Sequence, residues 1–187
     1  VTDNTTLDYY NKNSLDFVLL TRDVDFREIQ NKFLAQIASN GSILDLGCGS
    51  GRDTKYFLSK GYDVEAWDGS TELCKIASEF TQIDVQNKLF QDLSGHGLYD
   101  GIWACSSILH LPLNDLILVM KKIESALKNT GVLYTSFKYG DYSGERNGRY
   151  FTDMTEDRFD EILQHCPSLH IIEIWQTGDV RQERENE

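Results

Sequence analysis

Proline, basic charge, paired cysteines and long apolar runs are all scarce in this sequence of 187 residues. Only Pro112 and Pro167 occur, and no internal repeat or low-complexity segment is visible. No apolar run approaches the ~18 residues that a membrane-spanning helix needs. Residues 1–6 also lack the basic-then-apolar pattern of a secretory signal. We therefore expect a cytoplasmic protein with no membrane partner.

Basic residues are outnumbered, with 18 lysines and arginines against 30 aspartates and glutamates and a formal net charge of −12. An acidic surface repels both phosphate backbones and anionic membrane surfaces. The only basic clusters are Lys121-Lys122 and the pair Arg146 and Arg149, which are too sparse for a nucleic-acid footprint. We expect no nucleic-acid partner.

No Cys-x-x-Cys pair exists, and the four cysteines fall within predicted strands, helices or tight turns: Cys48, Cys74, Cys105 and Cys166. This pattern indicates reduced, buried thiols in the cytosol rather than a disulfide framework. We accordingly predict no metal site.

What is present is a regular alternation of strands and helices in one domain. Short apolar runs predict strands at 43–46, 62–67, 85–90, 99–105, 132–137 and 169–175. Helical spacing of apolar residues predicts helices at 26–37, 52–60, 71–80, 116–127 and 155–165. Such alternation implies right-handed βαβ units. We predict an α/β fold, a Rossmann-like three-layer αβα sandwich with a mostly parallel sheet.

A glycine-rich turn follows the first predicted strand, in Asp45-Leu46-Gly47-Cys48-Gly49-Ser50-Gly51. Glycines there allow a tight turn and let backbone N–H groups reach a ligand. Asp68 ends the second predicted strand, where a carboxylate can accept hydrogen bonds from a ribose diol. The turn has the strand–turn–helix context that a nucleotide-type site requires.

At these positions the sequence resembles class I S-adenosylmethionine-dependent methyltransferases. The resemblance rests on segments 43–51, 66–70, 91–93 and 99–105, which follow the family's order and spacing. It covers about residues 25–176 and implies the strand order 3-2-1-4-5-(7)-6. It assigns S-adenosylmethionine as cofactor and S-adenosylhomocysteine as product. We divide the chain into an N-terminal lid segment, 1–24, and a methyltransferase domain, 25–187.

The resemblance also implies individual roles for residues around the methyl donor. Gly47, Gly49 and Gly51 would wrap its methionine portion, near which Asp45 would meet the ammonium group. Asp68 would hold the ribose hydroxyls. The complete predicted donor set is Tyr10, Asp45, Gly47, Cys48, Gly49, Gly51, Asp68, Gly69, Ser70, Asp92, Leu93, Cys105 and Ser106.

Among the remaining donor contacts, Asp92 would accept from the adenine amine and the Leu93 backbone would meet the ring. Cys105 and Ser106 would offer backbone groups to the amino-acid end. Asp45 and Asp68 have a plainer alternative as helix caps or surface carboxylates, Asp92 as an ordinary turn residue, and Ser106 as the cap of a strand end.

An NAD site is the rival interpretation of the same turn. The dinucleotide fingerprint needs Gly-x-Gly-x-x-Gly, whereas the spacing here is Gly-x-Gly-x-Gly. A pyrophosphate would also lie poorly beside Asp45, while a donor without phosphate tolerates an acid there. The sequence therefore favours the methyl donor.

Methyl transfer from a sulfonium is an in-line displacement that alignment alone can largely catalyse. His110 follows the fourth predicted strand and is our candidate base, with a structural histidine as the alternative. The polar stretch 138–155 is long for a connection. In it, Arg149 could bind an anion and Tyr139 or Tyr150 could donate to the acceptor. Tyr10 belongs to the N-terminal segment that could cover the donor.

Within the family, Gly148-Arg149-Tyr150-Phe151 is similar to small bacterial methyltransferases, including tellurite-resistance types. We therefore expect a small-molecule acceptor and a monomer or weak homodimer. The tail 176–187 is polar, so the family's seventh strand looks missing or truncated. Two alternatives stay open: a catalytically silent S-adenosylmethionine-binding regulatory module, and a methyltransferase acting on protein or nucleic acid.

Overall fold

The structure of the chain is a computed structural model that describes residues 4–178. Seven α-helices and seven strands are assigned in this range. They are α1 (Asn4–Lys12), α2 (Ser14–Thr21), α3 (Arg27–Leu34), β1 (Ser42–Leu46), α4 (Arg52–Ser59), β2 (Asp63–Asp68), α5 (Thr71–Thr81), β3 (Gln86–Asn87), β4 (Tyr99–Ala104), α6 (Leu113–Ala126), β5 (Leu127–Thr135), β6 (Ser143–Arg146), β7 (Arg149–Thr152) and α7 (Glu156–Leu163). Short 3₁₀ turns follow β3 and β4.

Five parallel strands form the central sheet, in the order β3-β2-β1-β4-β5. The short apolar strand β1 lies at its centre, where Leu44 faces Glu65 of β2 and Ile102 of β4 across the ladder. The strand order reverses between β1 and β4, and such a switch point leaves a crevice at the carboxyl ends of the strands. The predicted fold class and the order of the first five strands are confirmed.

Alternate residues of the central strands bury opposite faces of the sheet. Leu44 and Ile102 belong to a core cluster with the apolar stripe of α6, whereas Ile43 and Trp103 pack with Phe33 of α3 and its neighbours. Ile43, Leu44, Ile102 and Trp103 are all fully buried. Helices cover both faces, which gives the predicted three layers.

The N-terminal segment is helical, which the sequence pattern did not indicate. Helix α1 contacts α5 and β7. Asn11 accepts hydrogen bonds from the Ser70 hydroxyl at 2.7 Å and from the Glu72 N–H at 3.3 Å. Tyr150 donates its N–H to the Thr6 hydroxyl at 3.0 Å. These contacts hold α1 across the top of the sheet, and the lid role of 1–24 stays a prediction.

Two expected elements differ from the prediction. Residues 143–152, expected to be an irregular connection, form the antiparallel hairpin β6–β7. Residues 169–175, predicted as a sixth strand, form no strand, and Ile172 there is 69% exposed. In the predicted order the seventh strand separates the fifth from the sixth, so the sixth has no neighbour to pair with unless the seventh is present. Most of the predicted seventh-strand region, 179–187, lies outside the described residues.

Candidate functional site

The glycine turn is shaped by backbone conformations that side chains disfavour. Gly47, Gly49 and Gly51 have φ values of 85°, 54° and 77°. The N–H groups of Gly47 and Cys48 both donate to the Trp67 carbonyl at 2.9 Å, which ties the turn to the end of β2. A Cβ on Gly47 would lie 2.5 Å from the Ser107 Cβ, so only glycine fits.

Asp68 stands at the end of β2, beside this turn. Its carboxylate accepts from the Gly49 N–H at 2.9 Å and from the Ser70 N–H at 2.8 Å. Burial raises the pKa of Asp68, and these two backbone hydrogen bonds act in the opposite direction. A carboxylate has about four acceptor sites, so the fixed group still has capacity for two ligand hydroxyls.

Asp45 lies beneath the turn and outside the lining of the adjacent cleft. It is 2% exposed and accepts from the Thr54 hydroxyl at 2.5 Å. Burial and the neighbouring Asp53 raise its pKa to about 8. In this structure Asp45 supports the turn from below, and its contact with an ammonium group stays a prediction.

Asp53 is a second buried acid that sequence analysis did not single out. It accepts from Gln30 at 2.6 Å, from Arg52 at 2.8 Å and from the Trp103 indole at 2.9 Å. This network balances its charge with one guanidinium and two neutral donors. Gln30 and Trp103 are far from Asp53 along the chain, so no local spacing could have indicated the arrangement.

A cleft of about 1280 Å³ opens at the carboxyl ends of the strands. Ten of the predicted site residues line it: Tyr10, Gly47, Cys48, Gly49, Asp68, Gly69, Cys105, Ser106, His110 and Arg149. Six do not: Asp45, Gly51, Ser70, Asp92, Leu93 and Tyr150. Ser106 has a positive φ of 49°, and its N–H donates to the Ser136 hydroxyl at 2.9 Å.

The six other positions have identifiable structural contacts. Gly51 precedes α4, and a Cβ there would lie 2.9 Å from the Thr81 methyl group. Ser70 caps α5 by accepting from the Leu73 N–H at 3.2 Å. Such packing and capping explain why these residues face away from the cleft.

The segment expected to meet an adenine ring is arranged differently from the prediction. Asp92 is exposed, and its carboxylate accepts from the Leu89 N–H at 2.8 Å. Leu93 is fully buried in the core. Phe90 and Gln91 line the cleft instead. The Asp92 contact is therefore a turn cap, which was the plainer alternative for this residue.

His110 and Tyr10 form a hydrogen-bonded pair, although 100 positions separate them. The Tyr10 hydroxyl lies 2.9 Å from His110 Nε2, and His110 Nδ1 lies 2.7 Å from the Tyr150 carbonyl oxygen. A carbonyl only accepts, so Nδ1 carries the proton and Nε2 accepts from Tyr10. Tyr150 thus contributes its backbone, and its predicted role as a hydroxyl donor in the cleft is not supported.

Burial also sets the charge state of this pair. It lowers the pKa of His110 to about 4, and the cations Arg149 and Lys138 act in the same direction. Burial raises the pKa of Tyr10. At neutral pH the pair is therefore a neutral imidazole and a neutral phenol, joined by one hydrogen bond.

Arg149 belongs to β7 and is 7% exposed. Its guanidinium carbon lies 4.5 Å from the ring centre of Tyr9, 5.2 Å from that of Phe151 and 5.9 Å from that of Tyr10. Cation–π contacts of this kind hold the side chain at the cleft wall.

Among residues 4–178, no group of three or more His, Cys, Asp or Glu side chains is placed to hold a metal ion. Across the same residues, no helix combines the length and hydrophobicity required to cross a membrane.

A parallel sheet of order 3-2-1-4-5, a glycine turn after β1 and an acid ending β2 define the class I methyltransferase fold. A family model described as "Methyltransferase domain" matches residues 20–177. The chain therefore belongs to the methyltransferase domain family. Family and fold together assign it S-adenosylmethionine as cofactor, as the sequence resemblance implies.

Individual relatives are distant. The chain is 26% identical over 156 residues to an uncharacterized methyltransferase of Staphylococcus carnosus (strain TM300), covering 80% of this chain and 74% of the relative. It spans only about half the length of other curated relatives that it matches, 53% of one and 45% of three others.

Solved structures share the fold at low sequence identity. One is 1,6-didemethyltoxoflavin-N1-methyltransferase of Burkholderia thailandensis, with 1,6-didemethyltoxoflavin and S-adenosylhomocysteine bound. Its TM-score is 0.71 at 22% identity, over 87% of this chain and 76% of that one. The [4+2]-cyclase SpnF aligns with a TM-score of 0.67 at 16% identity, over 85% and 69%. Since one of these proteins is named as a cyclase, the fold alone does not fix the reaction.

Proposed function

We propose that the cleft binds S-adenosylmethionine across the ends of β1 and β2 and transfers its methyl group to a small-molecule acceptor beside Tyr10 and His110. The observation that carries the proposal is the Asp68 carboxylate, fixed at the cleft wall by two backbone N–H groups. A carboxylate held in one orientation is the acceptor that a ribose diol requires.

The glycine turn supports the placement of the donor's amino-acid end. Gly47 and Gly49 line the cleft, so the turn presents main-chain atoms there rather than side chains. Asp53 lines the same cleft, and its carboxylate disfavours a pyrophosphate there. This argues for S-adenosylmethionine and against a dinucleotide.

The acceptor's proton has a route in the pair Tyr10 and His110. As the acceptor atom attacks the methyl carbon, its proton passes to the Tyr10 oxygen, and the Tyr10 proton passes to His110 Nε2. Nδ1 keeps its proton and its hydrogen bond to the Tyr150 carbonyl. The positive charge lost by the sulfonium is regained on the imidazolium, so charge balances within the cleft.

The rest of catalysis is assigned to alignment. Phe17 contacts Tyr10 edge-on, with ring centres 5.2 Å apart, and its ring lies over Gly49. Helices α1 and α2 thus place aromatic rings above the donor site. Such a cover excludes water and keeps the acceptor in line with the methyl group and sulfur.

Calorimetric titration with S-adenosylhomocysteine and with NAD tests the donor site. We expect micromolar binding of the first and none of the second. Asp68→Asn should weaken binding by about 10- to 100-fold, because hydrogen bonds to a charged group contribute about 1.5–3 kcal/mol. Asp63→Asn is the matched control, since Asp63 is exposed at the opposite end of β2. Binding of NAD with equal affinity would contradict the proposal.

Transfer itself is tested by release of S-adenosylhomocysteine over a panel of small acceptors. We expect turnover with at least one acceptor and a loss of about 100-fold or more in Tyr10→Phe, which removes the proton relay. Tight donor binding without turnover on any small molecule would instead favour the silent regulatory module or a macromolecular acceptor.

A further inference from the structure

The guanidinium of Arg149 is buried at the cleft wall without an acidic partner. None of the ion pairs found in residues 4–178 includes it, and its Nε has no hydrogen-bond partner. An arginine keeps its charge in proteins, and a buried charge without a partner is costly. A ligand group that pairs with it would offset this cost.

Two other arginines near the cleft have acidic partners, whereas Arg22, like Arg149, packs against an aromatic ring and leaves its Nε unpaired. Arg52 pairs with Asp53 at 2.8 Å, and Arg146 pairs with Asp153 on the same hairpin that carries Arg149. Arg149 is surrounded by aromatic rings instead. Ring faces attract the cation but offer no acceptor in line with its Nε–H group.

A second cation reinforces the positive potential at this end of the cleft. The Lys138 ammonium lies 5.4 Å from the ring centre of Phe151, and Lys138 lines the cleft together with Arg149. Arg149 and Lys138 thus place two cations at one wall of the cleft. Such a wall attracts anions.

We propose that the methyl acceptor is a small carboxylic acid whose carboxylate binds Arg149. This inference rests on the proposed function and names the substrate class of the same cleft. The guanidinium carbon is 5.9 Å from the ring centre of Tyr10, whose hydroxyl begins the proton relay. The acceptor atom and the carboxylate therefore lie only a few bonds apart in the substrate.

The pairing of a substrate carboxylate with Arg149 also assists the proton relay. The groups that face His110 are the Tyr10 hydroxyl, the Tyr150 carbonyl and the cations Arg149 and Lys138. A carboxylate next to Arg149 counteracts the positive field on the imidazole. Binding of an acid raises the pKa of His110 and favours proton transfer to Nε2, whereas a neutral analogue leaves it unchanged.

The test compares benzoate with benzamide, which has nearly the same shape and no charge. Both are titrated calorimetrically into the full chain, with and without saturating S-adenosylhomocysteine. We expect benzoate to bind about 10- to 100-fold more tightly. Arg149→Gln should reduce this preference to within about threefold and leave S-adenosylhomocysteine affinity unchanged. Lys75→Gln is the control, because it removes an exposed cation on α5.

Equal binding of benzoate and benzamide, or a preference that survives in Arg149→Gln, would overturn the inference. If Arg149→Gln does not fold, the affinities of the wild type for benzoate and benzamide decide the question. NMR titration of the His110 ring protons adds a second readout, because benzoate should raise the pKa of His110 and benzamide should not. Failure of the wild type to bind S-adenosylhomocysteine overturns the proposed function. Binding of S-adenosylhomocysteine without a carboxylate preference overturns only the substrate class.

Discussion

Replacing His110 by glutamine should flatten the pH dependence of stability in a defined window. Burial lowers the pKa of His110 from 6.5 to about 4. The unfolded chain therefore binds more protons than the folded one between these values, and stability rises with pH across that window. From about pH 5.5 to 7.5 the contribution of His110 to the free energy of unfolding grows by about 1 kcal/mol.

Urea denaturation followed by far-ultraviolet circular dichroism measures this difference at several pH values. The glutamine variant loses the titrating group, so the gap between the two unfolding free energies should widen by about 1 kcal/mol over this range. His96→Gln removes an exposed histidine and serves as the control, which should retain the wild-type slope. If the free energies of unfolding of wild type and His110→Gln change with pH in the same way, the assignment of a buried, neutral histidine is refuted.

Two further predictions concern the glycine turn and the acid beneath it. Gly47→Ala should lose about 3 kcal/mol of stability, from a positive φ and a 2.5 Å approach to Ser107, whereas Gly97→Ala, with φ 58° and nothing within 4 Å, should lose about 1 kcal/mol. If urea denaturation shows equal losses of unfolding free energy in the two variants, the close contact between position 47 and Ser107 is contradicted. Asp45 has a folded pKa of about 8 against 3.8, so the folded chain binds more protons and its ionisation reduces stability as pH rises through this window. The melting temperature of Asp45→Asn should therefore rise relative to that of the wild type between pH 6 and 9. A difference in melting temperature that does not change with pH would contradict the raised pKa of Asp45.

The central sheet and the glycine turn could be predicted because their signals are local. Strand β1 is a short apolar run that leads directly into three glycines, and the chain itself brings these residues together. The hairpin β6–β7 also has a local signal in the sequence, although we predicted an irregular connection there. Asn147-Gly148 lies between the paired Arg146 and Arg149 with φ values of 51° and 75°, as in a two-residue hairpin turn.

Other features depend on tertiary contacts. Helix α2 has no amphipathic stripe to indicate it, since its Leu15 and Leu19 are 70% and 79% exposed. The pairing of Tyr10 with His110 joins residues 100 positions apart. Asp92 matches the expected motif, yet in the structure it caps a turn, because side-chain direction does not follow from sequence position.

The crystal structure of the complex with S-adenosylhomocysteine tests the central claim most directly. We predict both ribose hydroxyls within hydrogen-bond distance of the Asp68 carboxylate and the amino-acid end against the backbone of Gly47 and Gly49. A ligand bound elsewhere, or a ribose that does not touch Asp68, would contradict the donor site proposed for this chain.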